Sequence, residues 1–342
     1  MKYIFGPVNS RRLGLSLGID LVPYKTCTLN CIYCECGETS NLTSRIDEYV
    51  PTDGVIAELS EYLSVRPTLD VLTFSGSGEP TLHSGIKRII TFLKESYSEY
   101  RVALLTNGTL FYNKDVRESV LGADIIIPSI DAISEGVFDK ITRPISGIDV
   151  KTVINGLIEL RKEYCGEIIL EIFIVPGIND RRSEIEGIRD ACLRIRPDRI
   201  HLNTLDRPGS EEWIEAATID SLQEIKYNLA PLVVEIVGSQ DAYKDHCKQA
   251  DDIQCRASSV QHVHRHSVLN NDEIDVGLKE VSKAVLSTIE RRPSTLNDLS
   301  IILGIEKPKL TESLQYLLIN DKIEERSTKR GSFYRLKRVG FN

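Results

Sequence analysis

The sequence predicts an α/β protein, a partial (β/α)6 TIM-like barrel followed by a winged helix-turn-helix domain. Short apolar runs alternate with amphipathic stretches through most of the chain, and polar residues directly follow successive runs. From Val276 the pattern changes to three short helices and a hairpin that contains glycine. We therefore expect a barrel domain over residues 1–240, a linker or flap over 241–274, and the winged helix over 275–342.

The strands of the barrel are predicted from near-continuous apolar runs of about four to eight residues, which suit parallel strands covered on both faces. These runs are Leu15–Asp20, Leu69–Phe74, Arg101–Thr106, Ala123–Pro128, Glu167–Val175 and Arg199–Asn203. Apolar residues at three- and four-residue spacing predict the helices between them, namely Asp53–Val65, Ser84–Ser98, Asp149–Tyr164 and Arg181–Ile195. One more helix and strand are predicted at Ile219–Leu229 and Leu232–Val237.

These βα units can be arranged in two ways. Right-handed crossovers curl them into a full or partial barrel, in which the loops after the strands gather at one mouth. A flat doubly wound sheet is the alternative. The polar residues that follow successive strands favour the barrel, because they would then meet around a common mouth.

The last fifth of the chain has a different character. Residues 275–342 carry 13 Lys/Arg against 9 Asp/Glu, a net charge of +4, which leaves −12 for residues 1–274. The predicted elements are helices Val276–Arg291, Leu296–Leu303 and Lys307–Asn320 and strands Lys322–Arg326 and Ser332–Leu336. Basic side chains could contact nucleic-acid phosphates, namely Lys307, Lys309, Lys329, Arg330, Arg335, Lys337 and Arg338. Such modules also hold peptides by adding a strand, and we favour nucleic acid.

The composition excludes several classes of protein. The 342 residues carry a formal net charge of −8 and are 41% hydrophobic and 27% charged, which is typical of a globular chain and not of a fibrous or disordered one. No run approaches the roughly 20 apolar residues of a membrane span, and no secretory signal is evident. We expect a cytoplasmic protein with no membrane partner.

Four cysteines fall close together in the sequence: Cys27, Cys31, Cys34 and Cys36. In a reducing compartment such a cluster indicates metal or redox chemistry. The Cys-x3-Cys-x2-Cys run of the first three could bind three irons of a [4Fe–4S] cluster and leave the fourth iron open for a substrate or cofactor. The alternative is structural zinc, which needs four ligands and paired Cys-x-x-Cys spacing.

This run has Tyr33 just before its last cysteine and follows the first strand, and it resembles the signature of the radical S-adenosylmethionine (SAM) superfamily. The resemblance extends over about residues 10–205. It implies that Cys27, Cys31 and Cys34 hold a [4Fe–4S] cluster whose open iron binds SAM. Electron transfer from a reductant such as flavodoxin or ferredoxin would then cleave SAM to a 5′-deoxyadenosyl radical, which modifies an unidentified substrate, RNA or a peptide.

Further segments resemble the SAM-binding motifs of the superfamily in the expected order. Phe74–Pro80 resembles its Gly-Gly-Glu-Pro segment, in which Glu79 can accept from the SAM ammonium. Ser129 and Asp131 suit the ribose hydroxyls, and Arg143 suits the carboxylate. The resemblance names no catalytic residue. The SAM contacts that it implies are Tyr33, Gly76, Ser77, Gly78, Glu79, Thr106, Asn107, Ser129, Asp131, Arg143, Val175, Ile178 and Asn203.

Two features leave finer questions open. Within the superfamily, Ser10–Asp20 together with Cys34–Gly37 is similar to the branch of wyosine-type tRNA synthetases, although the second cysteine set of the archaeal wyosine enzymes is not seen. Cys247 and Cys255, with His262–His266, could hold a second metal.

A regulator is the alternative to an enzyme. In that hypothesis the cluster-bearing barrel reports redox state or SAM to the winged helix, which binds DNA. The set of SAM-pocket matches argues against it, because a sensor would not need an open iron.

Overall fold

An eight-stranded sheet forms the centre of the first part of the chain. The computed structural model describes residues 1–237, 271–328 and 331–337, and the chain divides into two units, Met1–Val237 and Gly238–Asn342. The strands of the first unit are β1 Ile4–Ser10, β2 Gly14–Ile19, β3 Thr26–Cys27, β4 Asn41–Leu42, β5 Val71–Phe74, β6 Arg101–Thr106, β7 Ile125–Pro128, β8 Glu167–Ile174, β9 Arg199–Thr204 and β10 Val234–Ile236. Its helices are α1 Thr52–Leu63, α2 Ile86–Ser96, α3 Lys114–Val120, α4 Glu135–Thr142, α5 Val150–Glu163, α6 Arg182–Ile195 and α7 Ile219–Asn228.

Most of the predicted linker or flap, with Cys247, Cys255 and His262–His266, lies outside the described residues. Within the described part of the chain, no helix has the length and apolarity that crossing a bilayer would require.

Neighbouring strands of the sheet follow chain order. The order is β1-β2-β5-β6-β7-β8-β9-β10, with β1 antiparallel to β2 and every later pair parallel. A doubly wound sheet requires the order to reverse at a switch point, so the predicted alternative of a doubly wound sheet is wrong. Sequential order with right-handed crossovers places the helices on one face of the sheet.

Contacts between distant strands show that the sheet is curved. Arg12 lies at the turn between β1 and β2, and its Nη2 atom is 2.9 Å from the Oε1 atom of Glu171 in β8. Arg11 lies 3.2 Å from Asp206, just past the end of β9. Strands at one edge of the sheet therefore reach strands near the opposite edge, as a partial barrel requires.

Two apolar layers hold this arrangement together. One large cluster packs the helices against the sheet and includes Leu17, Leu72 and Leu104. A smaller cluster lines the other face, with Val71, Ala103, Ile125, Ile127 and Ile169 at its centre. Successive strand residues point to opposite faces, so continuous apolar runs supply both layers.

The sequence did not predict β1, the two-residue strands β3 and β4, or the short helices α3 and α4. Gly6 and Pro7 interrupt the apolar pattern of β1, and the register of its pairing shifts between Phe5 and Val8. Proline is tolerated there because β1 is an edge strand. Helix α3 has only seven residues, which is too short for a helical period to stand out.

The described residues of the second unit form three helices and a three-stranded antiparallel sheet. The helices are α8 Asn271–Arg291, α9 Leu296–Leu303 and α10 Lys307–Ile319, and the strands are β11 Ser294–Thr295, β12 Ile323–Thr328 and β13 Gly331–Leu336. The strand order is β11-β13-β12. Thr295 and Asp298 form a capping box at the start of α9, and Gly304, with φ of 64°, ends it. The predicted helices and hairpin strands are confirmed, whereas β11 was not predicted.

Two helical glycines provide a matched test of the packing. A Cβ added to Gly156 in α5 would lie 2.7 Å from the backbone of Phe111 and Tyr112, whereas one added to Gly136 in α4 would meet nothing within 4 Å. We expect Gly156→Ala to destabilise the protein by about 1–3 kcal/mol through overpacking. Gly136→Ala should stabilise it by up to about 1 kcal/mol. Thermal unfolding of both variants checks this, and equal shifts would contradict the close approach of α5.

Candidate functional site

The cysteine loop follows β2, at the carboxyl end of the parallel sheet. Cys27 lies in β3, which pairs with β4, and Cys31 and Cys34 follow in the loop. The backbone N–H of Asn30 donates to the carbonyl of Thr142 and that of Ile32 to the carbonyl of Ile141, both at 2.9 Å. These bonds fasten the loop to the end of α4. All three cysteines are half-buried and free of disulfides.

The pKa values of the three thiols are shifted by burial and by neighbouring groups. Burial raises the pKa of the Cys31 thiol well above its usual value, and Cys34 and Cys27 raise it further. Burial also raises the pKa of Cys27 to about 11. The pKa of Cys34 is lowered well below its usual value by a hydrogen bond from Cys36 and by the nearby Lys25. Cys34 is therefore the readiest of the three to become a thiolate.

Two donors point at these sulfurs. The Lys25 ammonium donates to Cys34 Sγ at 3.0 Å, and the Asn107 amide donates to Cys27 Sγ at 3.5 Å. Although burial lowers the pKa of Lys25, the Cys34 thiolate raises it above its ordinary value. Lys25 itself is buried.

The donor set suits an iron–sulfur cluster. Among the residues that the structure describes, no three His, Cys, Asp or Glu side chains converge as a single metal ion requires. In a [4Fe–4S] cluster each thiolate binds a different iron, so the sulfurs stay apart. The close contact that Cys36 makes is instead with Cys34. Three thiolates on one short loop match the soft sulfur ligands that an iron–sulfur cluster takes, so a cluster on Cys27, Cys31 and Cys34 stays a prediction, with the four-cysteine zinc site as its alternative.

The glycine-rich segment after β5 packs directly on the cysteine loop. A Cβ on Gly76, which has φ of +150°, would lie 2.3 Å from the Asp20 carboxyl group, and one on Gly78 would lie 2.1 Å from the Thr26 carbonyl. Ser77 stands where the superfamily often has glycine, and its hydroxyl donates to Asp20 at 3.2 Å. Larger side chains at positions 76 and 78 would therefore push the two loops apart.

The Glu79 carboxylate joins the loop after β5 to the loop after β6. It is 2% exposed and accepts from the Thr81 backbone and hydroxyl at 3.0 and 2.6 Å, from the Thr106 hydroxyl at 2.6 Å and from the Asn107 backbone at 2.7 Å. Burial raises its pKa, and these hydrogen bonds oppose the rise. Glu79 is thus largely occupied by protein donors, and its predicted contact with the SAM ammonium stays a prediction.

Four of the predicted SAM contacts line one small cavity: Tyr33, Asn107, Ser129 and Asp131. The cavity holds about 20 Å³, enough for one water molecule or so. The Tyr33 hydroxyl donates to Asp131 at 2.5 Å, and the Tyr33 ring stacks on Phe173 at 3.9 Å. Burial raises the pKa of Asp131 to about 7, against the opposing effect of the Tyr33 hydrogen bond.

The remaining predicted contacts lie around this group. Val175 and Ile178 belong to an apolar cluster that Tyr33 also packs against. Arg143, at the end of α4, lies 2.6 Å from Glu211, and Asn203 donates to Glu171 at 3.1 Å. The structure therefore brings Tyr33 together with Val175 and Ile178, while Arg143 and Asn203 are held by acidic partners.

Several residues organise the site through contacts that the sequence did not predict. Asn179 is fully buried, and its amide donates to the carbonyls of Asp131 and Phe173 at 2.9 and 2.7 Å. It therefore ties the loop after β7 to β8. Asp20 and Lys25 hold the glycine-rich segment and Cys34. Proximity of Lys25 to Cys27 in the sequence was the only available signal.

A polar layer of β8 and β9 adjoins Ser129. Ser129 pairs with Glu171 through a backbone bridge, and His201 is opposite Glu171 in the β8–β9 register. His201 is 4% exposed. Burial lowers its pKa to about 3, with help from Arg12 and Arg199 and against Glu167.

His201 predicts how stability depends on pH. Its pKa is about 6.5 in an unfolded chain, so below that pH the unfolded chain takes up a proton that the folded chain refuses. Acidification therefore destabilises the fold. Between about pH 7.5 and pH 5.5 the wild type should lose more stability than His201→Gln, with a difference approaching about 1.4 kcal/mol per pH unit below pH 6. If the stabilities of the wild type and of His201→Gln changed with pH in parallel, this prediction would be contradicted. The prediction holds although the Glu235 carboxylate lies 3.5 Å from the His201 Nε2 atom.

Comparison with known proteins places this site in a family. The sequence pattern of the radical SAM superfamily matches residues 21–191. A UPF0026 protein of Helicobacter pylori is 35% identical over 212 residues, covering 61% of this chain and 68% of that protein. A Brachyspira hyodysenteriae protein named GTPase Obg is 33% identical over 325 residues, which are 95% of this chain but 44% of that protein.

The fold has a counterpart among solved structures. A radical SAM methyltransferase from Sphaerobacter thermophilus matches with a TM-score of 0.50 and 14% identity, covering 65% of each chain. At that identity the likeness concerns the fold alone. The family match spans half of the chain and includes the cysteine loop, so this protein belongs to the radical SAM superfamily.

Proposed function

We propose that this protein is an enzyme that holds a [4Fe–4S] cluster on Cys27, Cys31 and Cys34 and binds SAM beside it. Proteins of the superfamily bind both cofactors. When bound, the cluster supplies the electron for reductive cleavage of SAM, which starts radical chemistry on a substrate. The observation that carries the proposal is that the glycine-rich segment packs on the loop that holds three half-buried cysteines.

The chain's own residues position and shield these groups. The side-chain amide of Asn107 donates to Cys27, and its backbone N–H donates to the Glu79 carboxylate. One residue therefore links the cysteine loop to the loop after β5. The stacked rings of Tyr33 and Phe173 and the apolar cluster around Ile178 would exclude water from one side of the site. Exclusion of water protects reactive species from side reactions.

Reconstitution under anaerobic conditions tests the proposal. The protein is loaded with iron and sulfide, reduced with dithionite and incubated with SAM, and 5′-deoxyadenosine is quantified by chromatography. We expect formation of 5′-deoxyadenosine that requires dithionite. An intact cluster, seen by its visible absorption, with no 5′-deoxyadenosine would contradict the proposal.

We further propose that the second unit is a winged helix that recruits a macromolecular substrate. The order of α8, β11, α9, α10, β12 and β13 supports this assignment. The similarity of Ser10–Asp20 to wyosine-type tRNA synthetases supports RNA as that substrate. Two observations support a peptide: β12 lies at the edge of its sheet, and Arg335 and Lys337 are already paired with Glu324 and Asp321.

Removal of the second unit separates recruitment from chemistry. A chain that ends at residue 237 should still cleave SAM, whereas RNA or peptide that copurifies with the full chain should be lost. Binding of RNA should weaken steeply with salt, because phosphate contacts release counterions. Loss of SAM cleavage in a folded truncated chain would argue against a recruiting role.

A further inference from the structure

Lys25 carries a buried positive charge beside the cysteines. Lys25 is 2% exposed, and its ammonium donates to Cys34 Sγ at 3.0 Å. In the part of the chain that the structure describes, no carboxylate lies within ion-pair distance of Lys25. A buried charge is costly unless a countercharge compensates it. The countercharge available to Lys25 is therefore the thiolate group of the cysteine loop.

The backbone of Lys25 is held from both sides. Lys25 has φ of 53°, in the left-handed region that non-glycine residues seldom adopt. Its N–H donates to the carbonyl of Ser77 at 3.1 Å, and its carbonyl accepts from the N–H of Asn41 at 3.0 Å. The glycine-rich segment and β4 thus fix the backbone from which the Lys25 side chain reaches Cys34.

We propose that Lys25 sets the reduction potential of the cluster that Cys34 helps to hold, so that the reduced state is reached more easily. The inference rests on the proposed function. Reduction transfers one electron from the external reductant to the oxidised cluster and moves no proton, so the cluster becomes more negative by one charge. A fixed cation next to a ligand sulfur stabilises that added charge, and hydrogen bonds to the sulfurs act in the same direction.

Asn107 provides an internal comparison. It also donates to a ligand sulfur, that of Cys27, but at 3.5 Å and through a neutral amide. Hydrogen bonds from charged donors are roughly twice as strong as neutral ones. The larger effect on the potential is therefore assigned to Lys25, which acts as a positioning residue and not as a catalytic one.

The midpoint potential of the reconstituted full chain tests this role. Lys25→Met and Lys25→Gln remove the charge, Lys25→Arg keeps it, and Lys87→Met removes a charge from an exposed position of α2. Potentiometric titration followed by electron paramagnetic resonance gives the fraction of reduced cluster. We expect both neutral variants to lower the ratio of reduced to oxidised cluster at least about tenfold at a fixed potential, which is 59 mV for one electron. Lys25→Arg and Lys87→Met should stay within about threefold of the wild type.

Each outcome bears on the proposal. Neutral variants that keep their iron and have the wild-type midpoint would overturn it. Loss of iron from both neutral variants, with Lys25→Arg fully loaded, would assign Lys25 to cluster retention and would also overturn it. A wild-type chain that takes up no iron would instead contradict the proposed function.

Discussion

Cys34→Ala is expected to reduce 5′-deoxyadenosine formation to background. The reconstituted variant should also contain far less iron than the about four atoms per chain of a [4Fe–4S] cluster. Cys34 is the cysteine whose pKa lies below the usual value, and it receives the Lys25 hydrogen bond. Its removal takes away one of three ligands and the countercharge of a buried cation. Iron and sulfide analysis with the chromatographic assay measures both effects. Cys27→Ala and Cys31→Ala should behave in the same way.

Two other cysteines serve as controls. Cys165 is exposed and lies outside the site, so Cys165→Ala should have wild-type iron content and activity. Cys36→Ala should also retain its iron, because the cluster needs only the first three cysteines of the loop. If Cys36→Ala lost metal as completely as Cys34→Ala, the four-cysteine zinc site would become the better interpretation.

Glu79→Gln is expected to lower the free energy of unfolding by about 1–3 kcal/mol. The carboxylate accepts from the backbone N–H groups of Thr81 and Asn107 on its two oxygens, whereas an amide has one accepting oxygen. In either orientation the amide NH2 group would face a buried N–H, which leaves a donor without an acceptor. For a unit of this size the change corresponds to a decrease in Tm of roughly 2–12 °C.

The same variant separates two roles of Glu79. If the side chain served only to accept from the SAM ammonium, Glu79→Gln would leave the Tm of the cofactor-free protein unchanged and would weaken SAM binding alone. We expect the Tm to fall without SAM. Glu95→Gln, at an exposed position of α2, provides the matched control and should change stability by no more than about 0.5 kcal/mol.

The elements of the barrel were predictable because their signals are local. The run Arg101–Thr106 coincides with β6, and Arg182–Ile195 differs by one residue from the predicted helix. Such runs bury one or both faces of an element whatever its neighbours are. Strand β1 escaped prediction because a sheet tolerates Pro7 at an edge strand or a bulge, and both depend on how the strands pair and not on the local sequence.

The closeness of the three cysteines was predictable for a similar reason, since residues of one short loop need little help from the fold to lie near each other. The partners of Glu79 were not. The motif predicts that Glu79 contacts a ligand, yet Thr81, Thr106 and Asn107 occupy its carboxylate. These residues come from two different loops, and only the parallel order of β5 and β6 brings those loops together.

The sequence by itself determined the alternation of strands and helices, the position of the cysteine loop and the superfamily, because each depends on residues that are close along the chain. Only the tertiary structure decided the curvature of the sheet, shown by the contact of Arg12 with Glu171, and the burial of Lys25 against Cys34. A lysine in a polar loop is ordinarily solvated, and the residues next to Lys25 in the sequence do not indicate that it is buried. A side chain becomes buried when segments far apart in the sequence pack against it, as the glycine-rich segment does here. That packing makes the charge of Lys25 part of the site.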